Sequence, residues 1–148
     1  MTRMPAEFTL TIQPPIDDDD FRELAARVSC RGFGGETAFT IARRDLDRFA
    51  AELDGVRRGT GHEAQLLGGW DAEERLRLRI TPSGRSGQFI ARVWIANRGP
   101  REDQWHRAET EFVCPPEALS GFLAGLGGWS DAAASTEASL VGDADATA

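Results

Sequence analysis

Residues 36–55 read ETAFTIARRDLDRFAAELDG, and within this stretch the spacing of the apolar side chains changes. Thr37, Phe39 and Ile41 alternate with other residues, which is the period of a strand with one buried face. From Leu46 onward the apolar positions recur every three or four residues, as in the apolar stripe of a surface helix. The stretch therefore predicts a strand that is followed directly by a helix, with Asp45 as its N-cap and Gly55 as its end.

Alternating patterns flank this stretch on both sides and predict six further strands. They lie near residues 8–12, 24–30, 64–66, 76–80, 89–95 and 106–112. A second helix is predicted to begin at Pro115-Pro116, because proline fits the first helical position. Its apolar stripe consists of Leu119, Phe122, Leu123 and Leu126.

The resulting order is β-β-β-α-β-β-β-β-α. Short links between alternating strands favour a single antiparallel, meander-like sheet, and two helices with one apolar stripe each favour packing on one face of that sheet. The fold class predicted is therefore α+β, with one domain over residues 1–129. Residues 130–148 are mostly small and polar, so we expect a disordered tail. We expect no internal repeat.

Charge and composition limit the function classes. The net charge of −7 and the sequence pI near 4.8 argue against a nucleic-acid partner, which requires a basic patch. No apolar run approaches the ~20 residues of a membrane span, and Met1 to Pro5 lack the apolar stretch of a signal peptide. With only two cysteines, we expect a cytoplasmic protein with free thiols and no membrane association.

The predicted sheet has a polar face that is rich in arginine. Its members are Arg27, Arg31, Arg75, Arg77, Arg79, Arg92, Trp94, Arg107, Glu109 and Glu111. Arginine and aromatic side chains are enriched at protein interfaces, so Arg77, Arg79, Arg92 and Trp94 are candidate partner-binding residues. The alternative is a solvated face on which cross-strand Arg–Glu pairs contribute roughly 0.2–1 kcal/mol each.

An acidic loop is the competing surface. Asp17, Asp18, Asp19 and Asp20 follow the first strand, and the first helix adds further acidic residues. These side chains could bind a basic partner, or they could simply be a solvated loop. A calcium site is not expected, because the run lacks the alternating ligands and the glycine of a calcium loop.

No arrangement of chemically reactive residues predicts catalysis. Cys114 precedes a helix, but a nucleophile also needs a positioned base, and His106 lies eight residues away along an extended strand. Cys30 and His62 have no recognisable partners. Trp70 and Trp105 are interpreted as core or rim packing. We therefore expect no cofactor, no metal site and no enzymatic activity.

Several of these segments together resemble a known family. They are the Gly32–Thr37 turn and strand, the helix from Asp45 to Leu53, the strand from Gly61 to Leu66, the strand at residues 76–80, the strand from Gly87 to Val93, and Phe112, Pro115, Leu119 and Leu126. Their order is similar to that of the WapI-type immunity family of bacterial proteins. The resemblance covers about residues 8–126 and implies a non-enzymatic protein that neutralises a cognate toxin. It implies no particular toxin-binding residues.

The leading hypothesis is thus a cytoplasmic protein that inhibits a cognate bacterial toxin by binding it. The alternatives are an enzyme or small-ligand module with a site between sheet and helices, and a homo-oligomeric structural module. The sequence favours the first, because Leu, Phe, Ile and Val should fill the space between sheet and helices. It leaves the oligomeric state and the identity of the toxin open.

Overall fold

The computed structural model describes residues 5–14, 20–70, 73–84, 87–99, 101, 104–127 and 134–144. It confirms a mixed α+β fold, mostly strand, with one antiparallel sheet and two helices. The elements are β1 (Pro5–Ile12), β2 (Phe21–Cys30), β3 (Phe33–Ala42), α1 (Arg43–Arg58), β4 (Ala64–Trp70), β5 (Glu73–Pro82), β6 (Phe89–Arg98), β7 (Trp105–Cys114), α2 (Pro116–Leu126) and β8 (Thr136–Asp143).

The eight strands are neighbours in chain order, and β8 pairs with β1, so the sheet closes into a barrel. The expectation of a disordered tail over residues 130–148 is therefore wrong for residues 136–143, whereas residues 130–133 and 145–148 lie outside the described residues. This segment has few large apolar side chains, but its backbone pairs with all of β1, and Ala138 and Leu140 are buried in the core. The backbone ladder and these two side chains together order a strand that its composition alone does not predict. The domain extends at least to β8.

Both helices lie on the inner face of the sheet, as predicted. Leu46, Phe49 and Leu53 of α1 are fully buried, and so are Leu119 and Phe122 of α2. The Phe122 ring contacts the Phe8 ring at 6.1 Å and the Phe49 ring at 6.4 Å, both edge to face. These rings join the two helices to β1 in a single core.

The ends of α1 differ from the prediction. The helix begins at Arg43, its N-cap is Ala42, and Asp45 lies in the first turn instead of capping it. It continues past Gly55 and ends at Gly59, which adopts the left-handed conformation and donates its backbone N–H to the carbonyls of the last turn. The predicted start of α2 is confirmed, since Pro116 occupies its first turn.

The barrel consists of two four-stranded halves. Strands β8, β1, β2 and β3 pair extensively with one another, and so do β4, β5, β6 and β7. At the two seams between the halves, a single residue pair joins the strands: Thr40 with Gly69, and Val113 with Asp143. Helix α1 connects the strands at the first seam, and α2 connects those at the second.

The two halves are related by an internal repeat, contrary to expectation. Residues 109–128 repeat residues 36–55 with an offset of 73, and eight of the twenty positions are identical. Residues 137–142 (EASLVG) repeat residues 63–68 (EAQLLG) with four of six positions identical. Each repeat has the element order β-β-β-α-β. The strand β8 is thus the counterpart of β4, which explains why the chain continues past α2.

Equivalent residues of the two repeats meet one another. Phe49 and Phe122 occupy the same repeat position and pack edge to face. Gly35 and Ala108 are also equivalent, and a Cβ atom on Gly35 would lie only 2.8 Å from the Cβ of Ala108. Contacts between equivalent residues of two repeats occur on a twofold axis. The molecule therefore has approximate internal twofold symmetry about a line through these two contacts.

Candidate functional site

The outer face of strands β4 to β7 carries large polar and aromatic side chains. We call it the Arg/Trp face and define it by Leu67, Arg75, Arg77, Arg79, Arg92, Trp94, Arg98, Trp105, Arg107, Glu109 and Glu111. Strand alternation explains the arrangement, because Leu76, Leu78 and Ile80 point into the core and the arginines between them point outward. The structure thus brings four candidate residues, Arg77, Arg79, Arg92 and Trp94, onto one surface.

A row of four residues crosses the centre of this face. In cross-strand register, Leu67 lies beside Arg77, Arg77 beside Trp94, and Trp94 beside Glu109. The Arg77 guanidinium lies over the Trp94 ring, 4.5 Å from its centroid. Leu67 is 52% exposed. The row therefore presents an apolar side chain and a stacked Arg–Trp pair next to one another.

Ion pairs connect most of the neighbouring charges. Arg79 pairs with Glu63 at 2.9 Å, Arg92 pairs with Glu111 at 2.8 Å, and Arg77 pairs with Glu74. All of these side chains are at least a third exposed, so solvent screens the pairs and each contributes little to stability. Arg79 and Arg92 lie directly opposite one another. Like charges in that position are unfavourable, and the two flanking glutamates offset the repulsion.

A second cluster lies near Trp105, at the edge of the sheet where β5 and β7 begin and β6 ends. Three guanidiniums surround the Trp105 ring, at 4.8 Å for Arg98, 5.5 Å for Arg75 and 5.9 Å for Arg107. Glu73 accepts hydrogen bonds from Arg75 and Arg98. The Arg98 guanidinium holds the pKa of the Glu73 carboxyl below its usual range, and Arg75 adds to this effect. We call Arg75, Arg98, Trp105 and Arg107 the Trp105 corner.

The sequence did not indicate the Trp105 corner as a site. Trp105 was expected to pack in the core or at the rim, and Arg98 was not a candidate. The register of β6 and β7 brings the two residues directly opposite one another. Strand alternation gives the face on which each residue lies but not this register, so the sequence contains no direct signal for the pair.

Two expected members of the arginine surface lie elsewhere. Arg27 is exposed on the outside of β2, opposite Glu36 of β3, and Arg31 is in the β2–β3 turn with a positive φ of 55°. Both belong to the first half of the barrel. The prediction that Arg27 lies on the sheet face away from the helices is confirmed, but closure of the sheet turns β2 away from β5 and β6, and Arg31 lies in a turn outside the strands.

The acidic loop lies partly outside the described residues. Asp17, Asp18 and Asp19 are not described, whereas Asp20 is exposed and its backbone oxygen accepts a hydrogen bond from the backbone N–H of Arg43 at 2.7 Å. Helix α1 adds little net acidity beside this loop. The helix has five arginines and four carboxylates, of which Asp54 pairs with Arg57 and Arg58, and Asp45 pairs with Arg48.

The thiols lie away from this surface. Cys30 and Cys114 are both buried and free. Burial raises the pKa of the Cys114 thiol to about 12, so it is protonated at neutral pH and a poor nucleophile. His62 and His106 are exposed. Within the described part of the chain, no three His, Cys, Asp or Glu side chains form a group that could hold a metal ion.

Comparison with protein-family models, with curated proteins and with solved structures found no match to this chain. Neither of the helices in the described ranges is long and apolar enough to cross a membrane.

Proposed function

We propose that this protein is a non-enzymatic binding protein that inhibits a bacterial toxin, and that the Arg/Trp face binds the toxin. The inner surface of the sheet supports the first part of the proposal. Phe8, Phe39, Phe49, Phe112 and Phe122 fill the space between strands and helices and are fully buried. A substrate site within this core would require the core to open.

The difference between the outer faces of the two halves carries the proposal. The halves share one architecture, so each residue of the Arg/Trp face can be compared with its counterpart. Leu67 faces Arg77 across β4–β5, and Val141 faces Glu7 across β8–β1. Gln65 faces Arg79 in the second half. Their counterparts in the first half are Ser139 and Thr9, whose hydroxyl groups form a hydrogen bond with each other.

The centre of the outer face of the first half has small side chains, including Thr9, Thr11, Ala25, Ala38 and Ser139, and its exposed aromatic residues, Phe21 and Phe33, lie at the strand ends. The same barrel is therefore formed in one molecule with and without a surface of stacked arginine and tryptophan. The fold does not require those side chains, and their concentration on one half points to recognition of a partner.

The chemistry of the face suits a protein partner. Aromatic and arginine side chains provide most of the binding energy at many interfaces, and neighbouring apolar groups exclude water from them. Trp94 is held by Arg77 before any partner binds, so little conformational entropy is lost at this position. The resemblance of residues 8–126 to the WapI-type immunity family supports a toxin as the partner.

The test begins with the genes on either side of the one for this protein. We expect a neighbouring gene for a polymorphic toxin, whose toxic domain is then produced in a susceptible bacterium. Cells that also contain this protein should survive, and cells that contain the Arg77→Glu, Arg92→Glu double variant should not. Arg27→Glu, a single charge reversal on the outer face of the first half, is the control for a reversal outside the Arg/Trp face and should still protect.

Two results would contradict the proposal. One is a neighbourhood made only of metabolic genes, which would favour a small-ligand module. The other is death of cells that contain the folded protein together with the neighbouring toxin.

A further inference from the structure

We propose that the Trp105 corner is a carboxylate-binding site that takes an acidic side chain of the partner protein. This inference rests on the proposed function and adds the chemistry of the bound group. The Trp105 corner gathers three guanidiniums around one indole ring, whereas Glu73 is the one described carboxylate that accepts hydrogen bonds there. Arg75 and Arg98 share that carboxylate, so the inference rests on the third guanidinium, that of Arg107.

Arg107 is the group best placed to receive an anion. It is exposed, it lies 5.9 Å from the Trp105 centroid, and no described carboxylate forms a salt bridge with it. A guanidinium stacked on an aromatic ring keeps the N–H groups along its edge available. Such an edge can bind both oxygens of a carboxylate at once, with a defined geometry.

The base of the site is already ordered. The Arg75 side chain is only 12% exposed, donates a hydrogen bond to the Asn97 side chain at 3.0 Å, and pairs with Glu73. Its buried Nε has no hydrogen-bond partner among the described residues. A buried guanidinium that is incompletely paired is costly, and an anion nearby offsets part of that cost through its charge.

The equivalent corner of the first half shows that the fold does not need this cluster. With the repeat offset of 73, Trp105 corresponds to Gly32 and Arg107 corresponds to Gly34. Those glycines form a tight turn and the start of β3, with a positive φ of 78° at Gly32. The barrel closes at that corner without an aromatic ring or an arginine.

A protein carboxylate fits the site better than a nucleic acid. A polyanion would approach a molecule whose net charge is −7, and the repulsion would oppose its binding. One acidic side chain on a protein surface has no such long-range penalty. The partner should therefore present an Asp or Glu next to the apolar surface that covers Leu67 and Trp94.

The test uses the full chain and a capped tri-glutamate peptide as the probe. NMR spectra follow the Nε–H groups of Arg98 and Arg107 and the indole N–H of Trp105 during titration. We expect saturable shifts at these groups with tri-glutamate, and much smaller shifts with tri-glutamine or with inorganic phosphate at equal ionic strength. Arg107→Gln should weaken peptide binding roughly two- to fivefold. Arg27→Gln, an exposed arginine on the other half, should leave it unchanged.

Three outcomes would overturn the inference. Equal shifts with tri-glutamine would show that no carboxylate site exists, and equal shifts with phosphate would show a general anion site. An equal loss of affinity in Arg27→Gln would show that only net charge matters. None of these results affects the protection assay, so the carboxylate site can fail while the proposed function stands.

Discussion

The ring of Phe39 lies directly against the α-carbon of Gly68. A Cβ atom on Gly68 would be 2.9 Å from the ring Cγ and closer still to two other ring atoms. Phe112 and Gly142 repeat this relationship at the other seam, where a Cβ on Gly142 would be 2.5 Å from the Phe112 ring. Each seam between the two halves therefore depends on a glycine that admits the phenylalanine of the facing strand.

Gly68→Ala should destabilise the protein by about 1–3 kcal/mol, because the added methyl group displaces a fully buried ring. Gly84→Ala is the control, since a Cβ at that position meets no atom within 4 Å. Denaturant unfolding of both variants gives the comparison. Equal stability of the two would show that the first seam does not need a close approach of the strands.

Phe49→Ala should cost about 3–5 kcal/mol, as expected for loss of a fully buried aromatic side chain. Phe49 and Phe122 form an edge-to-face pair across the internal axis, so a double-mutant cycle should yield a coupling of about 0.5–1.5 kcal/mol. Urea unfolding of the two single variants and the double variant measures it. Strictly additive effects would show that the two helices do not contact through these rings.

Leu140→Ala should cost about 2–5 kcal/mol, because this side chain of β8 is fully buried. Val141→Ala is a suitable control on the same strand, since Val141 is 48% exposed and should change stability far less. Thermal unfolding distinguishes the two. A negligible effect of Leu140→Ala would indicate that the C-terminal segment is not part of the barrel.

Stability should fall as pH rises above 9. Burial raises the Cys114 pKa from 9.0 to about 12, so the unfolded thiol ionises first and the unfolded state gains stability. The contribution is fully present below pH 9 and is lost as pH rises towards 12, by at most about 1.4 kcal/mol per unit. The chain contains no lysine and no tyrosine, which leaves few other groups to titrate in this range.

Cys114→Ala tests this assignment. Urea unfolding at several pH values should show a much flatter dependence above pH 9 in the variant. The same slope in both proteins would mean that Cys114 is accessible to water or ionises normally in the folded state.

The sequence predicted the elements whose apolar spacing is regular. Leu76, Leu78 and Ile80 identified a strand, and Leu119 and Phe122 identified a helix. The alternation also placed Arg77 and Trp94 outside the core, but it could not pair Arg98 with Trp105, because register between strands depends on contacts made across the whole sheet.

The missed strand shows a different limit. Residues 136–143 contain small side chains, so composition alone suggested disorder. The feature that identifies β8 is its similarity to an earlier strand, since EASLVG at residues 137–142 repeats EAQLLG at residues 63–68. Ala138, Leu140 and Gly142 occupy the positions of Ala64, Leu66 and Gly68. The two alanines are buried, and so are the two leucines. The internal repeat is therefore the sequence feature that predicts an eighth strand.

The central claim is that the Arg/Trp face binds the partner. The most direct test is the affinity of two sets of variants of this protein for the toxin domain that the neighbouring gene encodes. Arg77→Glu with Arg92→Glu should weaken binding at least tenfold, because both residues flank the Trp94 anchor. Replacement of the four aspartates at positions 17–20 by asparagine should change the binding affinity little. Unfolding of each variant confirms that the fold is retained. If neutralisation of the aspartates abolished binding while the arginine reversals had no effect, the Arg/Trp face would not be the binding surface.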